Sequence, residues 1–112
     1  MIIEKTFATA VQHHQKKDFT VAEELYKEIL KINPNHVQAH NNLGLVFLEL
    51  GKLQEAKNCC QKAIDIKSDY AIAYYNLGNI LKALREPQKA KECYEKAIQI
   101  NPNYADAHGN LG

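Results

Sequence analysis

Apolar side chains recur along this chain at the spacing of one helical face, stop at a short polar break, and start again. Ala73, Tyr74, Leu77, Leu81 and Leu84 form one such stripe, and after Arg85-Glu86-Pro87 a second runs through Ala90, Tyr94, Ala97 and Ile98. A 3.6-residue period over these lengths predicts two amphipathic helices that meet through their apolar faces. The breaks carry the chemistry of helix ends. Pro87 has its φ preset for a first helical turn. Gly51-Lys52 turns the chain in the preceding pair, and Thr20 with Glu23 has the form of a capping box that would open a helix. Asn33-Pro34-Asn35 and Asn101-Pro102-Asn103 end helices, because proline cannot continue the hydrogen-bond ladder and restrains the residue before it.

The same pair of stripes is used again and again, at a step of 34 residues. Ala22, Ala56 and Ala90 keep that step, as do Ile32, Ile66 and Ile100, and Pro34, Ser68 and Pro102. So do Ala39, Ala73 and Ala107, the Leu-Gly pairs 43–44, 77–78 and 111–112, and Tyr26, Cys60 and Tyr94. Six series in register define helix-turn-helix units at 3–36, 37–70 and 71–104, with a stub of a fourth at 105–112. Gly44 and Gly78 fall inside helices, where glycine costs about 1 kcal/mol relative to alanine. That cost is accounted for if a neighbouring helix passes too close for a side chain, and Ala56 and Ala90 fit the same reading on the second helices. One hairpin cannot bury its own stripe, so the units are expected to stack.

A 34-residue helical hairpin with Leu-Gly in its first helix, Ala in its second and Pro at its end resembles the tetratricopeptide repeat, over essentially the whole chain. The segment 71–83, AIAYYNLGNILKA, lies close to that family's average sequence. Unit one departs most, with Thr9-Ala10 in place of Leu-Gly and Thr6 where an aromatic is usual; Ser68 replaces the usual Pro, which would loosen the turn between units two and three. The resemblance implies an all-α, right-handed superhelix, a solenoid of antiparallel helix hairpins whose concave surface is lined by the first helices.

Each first helix carries a second stripe opposite its packing stripe. It comprises Glu4, Phe7, Ala8, Val11 and His14 in unit one, and Gln38, Asn41, Asn42, Leu45 and Leu48 in unit two. Unit three contributes Ile72, Tyr75, Asn76, Asn79 and Lys82, and the stub Asp106 and Asn110. Asn42, Asn76 and Asn110 recur at the repeat step. A carboxamide offers one acceptor and two donors, which suits an extended peptide backbone, and ladders like this hold peptide main chain in the similar repeats of O-linked N-acetylglucosamine transferase. The other reading is that these amides bond within their own helix or to the adjacent one. Phe7, Val11, Leu45 and Leu48 would form an apolar patch on the same face, either an interaction site or the packing of an atypical first unit. A clamp for a partner's C-terminal carboxylates, known in co-chaperones of the family, lacks its donors, since the stripe holds Lys82 and no Arg.

Composition narrows the function without naming it. The chain has 112 residues, 46% apolar and 24% charged, with a formal net charge of +1, so no basic footprint for nucleic acid is present. No apolar run reaches the roughly 18 residues of a membrane span, and Met-Ile-Ile-Glu-Lys does not begin a secretory signal. Three cysteines, Cys59, Cys60 and Cys93, without paired spacing fit a reducing cytoplasm better than a disulfide framework or a zinc site, with Cys60 in a core slot and the other two partly exposed. Neither the five histidines nor any Ser-His-Asp, paired-carboxylate or Gly-rich arrangement suggests catalysis, a metal or a cofactor. Second-helix charges such as Glu23/Lys27 and Glu92/Lys96 read as a solvated face.

The expectation is therefore a protein-interaction scaffold that holds an extended peptide in its groove. A second expectation follows from the end of the chain inside a Leu-Gly signature at Gly112, without a polar capping helix: this is an N-terminal, substrate-recruiting arm of a larger enzyme, of the glycosyltransferase or sulfotransferase type that similar arrays precede. A third is self-association, through the uncapped C-terminal end or the Phe7/Leu45 patch. The stub, marginal at about eight residues, would be ordered only when packed on unit three.

Overall fold

A computed structural model describes residues 2–103. Among them are six helices and no strand: α1 (Ile2–Gln15), α2 (Phe19–Ile32), α3 (Val37–Glu49), α4 (Leu53–Ile66), α5 (Ala71–Ala83) and α6 (Pro87–Ile100). The stub at 105–112, with Asp106, Asn110 and the last members of the 34-residue series, lies outside the described residues.

Helices pair as α1/α2, α3/α4 and α5/α6, and the hairpins stack through α2 on α3 and α4 on α5, with α5 also touching α3. What lets them approach is the absence of side chain at the repeat positions. Ala22, Ala56 and Ala90 are buried, as are Ala39 and Ala73, Leu43 and Leu77, and the Tyr26, Cys60 and Tyr94 series. At Gly78 a Cβ would stand 2.6 Å from Cε1 of Tyr94, and at Gly44 one would stand 2.8 Å from Sγ of Cys60 and 3.2 Å from the Ala56 carbonyl oxygen. The helix that passes so close is the partner within the same hairpin.

The turns repeat as faithfully as the helices. Within the three hairpins Lys17, Gly51 and Arg85 occupy one register position, and all three adopt positive φ, at 65°, 76° and 64°. In each, the next amide donates back to the carbonyl five residues earlier, Asp18 to His13, Lys52 to Phe47 and Glu86 to Leu81, at 2.8, 2.8 and 2.9 Å. This is the Schellman closure, in which a left-handed residue stops the helix. It corrects the expected capping box. α2 begins at Phe19 with Asp18 at the N-cap, so Thr20 already lies in the first turn. Glu23 instead holds Lys27 at 2.6 Å and Lys52 at 3.7 Å.

Between hairpins, the caps Asn33, Lys67 and Asn101 share nearly one backbone conformation, φ near −132° and ψ near 90°. The side chains of Asn33 and Asn101 accept from the amides of Asn35 and Asn103. Ser68 takes the place of proline without changing that path.

The first-helix face as a candidate binding surface

The stripe opposite the packing face runs along α1, α3 and α5, of which α3 and α5 touch, and its side chains divide into two groups. Val11, Asn42, Leu45 and Asn79 are partly exposed, and Lys82 is exposed. Phe7, Leu48 and Tyr75 are partly buried and pack against the core. Phe7 lies 5.2 Å from the His36 ring and 6.0 Å from that of Tyr26, and Tyr75 lies 6.0 Å from Tyr94. The apolar patch is thus half packing and half open, with Val11 and Leu45 its accessible part.

The asparagines do not form one row of free amides. Asn41 and Asn76 are 1% and 4% exposed. Asn76 Nδ2 donates to Asn41 Oδ1 at 2.9 Å across the α5/α3 interface, and Asn41 Nδ2 donates to Asn42 Oδ1 at 3.3 Å. A buried carboxamide must find partners or pay for its desolvation, and here each finds the other. The reading in which these side chains bond to their own and the adjacent helix therefore describes Asn41 and Asn76. Asn42 remains part-open, and Asn110 lies outside the described residues.

The network continues into unit one. Asn42 lies near enough to the Tyr26 hydroxyl to offset part of the rise in its pKa that burial causes. That hydroxyl lies 3.3 Å from Nδ1 of His14. In the neutral tautomer with its proton on Nε2, His14 accepts there. Burial against Tyr26 and Phe19 lowers the His14 pKa from its ordinary 6.5, and the Glu49 carboxylate partly opposes that shift. In unit three the Tyr94 hydroxyl donates to Asn79 Oδ1 at 2.5 Å. The two tyrosine hydroxyls escaped the sequence reading, which gave these positions to packing alone.

His36 caps α3, its Nδ1 accepting from the Ala39 amide at 3.1 Å, and His40 Nε2 bonds the Pro34 carbonyl oxygen at 2.7 Å. Among the described residues no cluster of three or more His, Cys, Asp and Glu side chains stands ready for a metal. No helix there is long and apolar enough to cross a membrane. Cys60 is buried, and Cys59 and Cys93 are half-buried.

A stack of 34-residue helix hairpins closed by small residues defines a class of α-helical repeat arrays. The tetratricopeptide repeat pattern matches residues 37–70 and 71–104, and a variant of it matches 13–36. The chain belongs to the tetratricopeptide repeat family. It is 34% identical over 50 residues to the TPR repeat-containing protein YsoA of Bacillus subtilis (strain 168), 45% of this chain and 15% of that protein. It is 40% identical over 52 residues to Sperm-associated antigen 1 of Rattus norvegicus, 46% of this chain and 6% of the other. The chain thus spans a small part of the relatives it matches. Among solved structures, the O-GlcNAc transferase of Thermobaculum terrenum (mutant K341M) superimposes with a TM-score of 0.93 and 27% identity, over 97% of this chain and 21% of that one. The first TPR of Spaghetti (RPAP3) bound to HSP90 peptide SRMEEVD gives 0.93 at 21% identity, over 97% and 86%.

Proposed function

We propose that this chain is a protein-interaction scaffold whose first-helix face holds an extended, largely uncharged segment of a partner polypeptide. The observation that carries this is the composition of the open stripe: Val11 and Leu45 provide apolar contact, Asn42 and Asn79 provide amides, and Lys82 is its one basic side chain. The peptide in the Spaghetti (RPAP3) structure is acidic, and a stripe with a single ammonium suits a different kind of segment. Apolar side chains of the partner would rest on Val11 and Leu45, and its backbone groups would meet the partly exposed amides of Asn42 and Asn79.

A peptide array probed with the purified chain tests this, with Val11→Glu/Leu45→Glu as the comparison. Those side chains are partly exposed, so charge there changes the surface without opening the core. Binding should weaken by about tenfold or more, equivalent to about 1.4 kcal/mol. Equal binding by the variant would remove the stripe from the mechanism. Asn76 is a poor probe because its amide is buried.

A second reading is favoured by the match to an O-GlcNAc transferase, of which this chain covers 21%. In it the array is the substrate-recruiting arm of a larger enzyme. The full coding frame discriminates, since a catalytic domain in the same frame decides for the arm. Self-association is tested by light scattering over a concentration series, where a constant monomer mass removes it. Three free thiols suit a reducing compartment such as the cytoplasm.

A further inference from the structure

The second helices are not a uniformly solvated face. Between α4 and α6 lies a groove of about 360 Å³, floored by Tyr74, Leu77 and Leu81 of α5 together with Cys93. Its rim carries Lys57, Lys89 and Lys96 against one carboxylate, Glu92. Lys89 pairs with Glu86 at 3.2 Å. Among the described residues neither Lys57 nor Lys96 has an ion-pair partner, and the expected Glu92/Lys96 pair is not formed. The volume lies at the lower end of the range of about 300–1,000 Å³ for ligand sites.

The repeat supplies an internal comparison. One unit earlier, α2 and α4 flank α3 in the same register, and the corresponding groove is built differently. Phe47 stands where Leu81 stands, and the ammonium groups of Lys27 and Lys52 lie over its ring at 5.6 and 5.7 Å. Glu23, the counterpart of Lys57, bridges both lysines. Glu55 is the counterpart of Lys89, and Cys59 that of Cys93. The earlier groove is therefore covered by its own side chains, and Glu23 neutralises the lysines over its ring. In the later one both glutamates have become lysines, Lys27 and Lys52 have become Gln61 and Glu86, and the ring has become a smaller side chain. The net charge is the same, but the floor is open and, among the described residues, Lys57 and Lys96 stand beside it without ion-pair partners.

We propose that the α4/α6 groove is a second docking site, for an acidic segment of a partner protein that inserts one apolar side chain between Leu81 and Cys93 while its carboxylates meet Lys57, Lys89 and Lys96. The occupant follows from complementarity. Three ammonium groups around an apolar floor call for carboxylates flanking an apolar anchor, the reverse of the uncharged segment suited to the first-helix face. The site is independent of that face, and neither proposal fails with the other.

The paired cysteines make the test internal. Burial raises the pKa of both thiols, Cys59 to about 11, so alkylation is followed under mildly alkaline conditions and read separately for each by peptide mass mapping. The probe is a blocked peptide in which glutamates flank a leucine–phenylalanine pair, and its control carries lysines instead. At about ten times its Kd the acidic peptide should slow Cys93 alkylation about tenfold and leave Cys59 unchanged. Lys57→Glu/Lys89→Glu, which places the earlier groove's two glutamates in the later one, should abolish that protection with the helical circular dichroism intact. Raising salt in the unaltered chain should weaken it, as surface charge pairs require. Equal protection of both cysteines, protection by the lysine peptide, or none by the acidic one would overturn the proposal. So would equal protection by inorganic phosphate, which has no apolar anchor.

Discussion

Asn76 and Asn41 stand one residue off the repeat register and meet across the α5/α3 interface, amide to carbonyl, at 2.9 Å. Both are buried, so the bond belongs to the stack before it belongs to any ligand. Removing one partner leaves the other's polar group desolvated, which costs about 1–3 kcal/mol, whereas replacing both with apolar groups of similar shape is close to neutral. Asn41→Ala and Asn76→Ala should therefore each lower the urea midpoint clearly, and Asn41→Leu/Asn76→Leu should recover much of the loss. If each single variant stays within about 0.5 kcal/mol of the parent, the bond does not hold the interface.

Gly78→Ala and Gly44→Ala pit helix propensity against space. Alanine gains about 1 kcal/mol in a helix interior, and overpacking a close contact costs about 1–3 kcal/mol. At Gly78 the new methyl would meet the Tyr94 ring, which its bond to Asn79 and its contact with Tyr75 hold in place. At Gly44 it would meet a Cys60 thiol and the Ala56 carbonyl oxygen, which belongs to the backbone. Thermal melts should show both variants destabilised, Gly78→Ala the more so. A rise in Tm at either site would mean the hairpins have slack.

The three hairpin turns adopt the left-handed conformation, but only one has glycine. A side chain there costs roughly 1–2 kcal/mol. Lys17→Gly and Arg85→Gly should each stabilise the chain by up to about 1 kcal/mol, net of the extra freedom glycine gives the unfolded state. Gly51→Ala should destabilise it by a similar amount. Chemical denaturation of the three variants against the parent checks the signs, and a loss of stability in both glycine variants would contradict them.

His14 gives the fold an acid-side dependence of known sign. Its folded pKa lies below the ordinary 6.5 because burial opposes the charge. The unfolded chain therefore binds a proton that the folded chain resists, and stability rises with pH wherever that holds. The contribution is complete above pH 6.5 and is lost as pH falls from there through the lowered folded value. In urea titrations at several pH values, His14→Gln should flatten the curve in that window relative to the parent. An unchanged slope would place the dependence elsewhere.

The fold was legible because spacing is a property of sequence: a 34-residue step with Leu-Gly, Ala and Pro in register leaves few arrangements that bury every stripe. What spacing could not give was the fate of individual polar groups. Asn76 reads as a groove residue from its place on the helix, but only the crossing of α5 over α3 brings Asn41 within reach. Thr20 and Glu23 have a capping box's spacing, yet Asp18 follows the left-handed Lys17 and starts the helix two residues sooner. Lys17 and Arg85 carry no glycine to announce their turns. Lys57 and Lys89 look like solvated charges until Leu81 is seen to leave room beneath them. For the asparagines and the groove the deciding fact is a contact between segments, and for the turns it is a left-handed backbone, neither of which a period along one segment contains.

The slot shared by Tyr26, Cys60 and Tyr94 is more than a size preference. Tyr94 has Asn79 to take its hydroxyl, whereas Cys60 sits in the unit that has Leu45 at the matching place and needs no such acceptor. Tyr26, with Val11 at that place, turns instead to His14 of its own unit. These hairpins are therefore exchangeable only as matched sets. A recombinant array shuffled unit by unit would keep its hydroxyls satisfied within a module, whereas one averaged position by position would strand them. A cut between units two and three would also sever the buried Asn41–Asn76 bond, so those two units travel together.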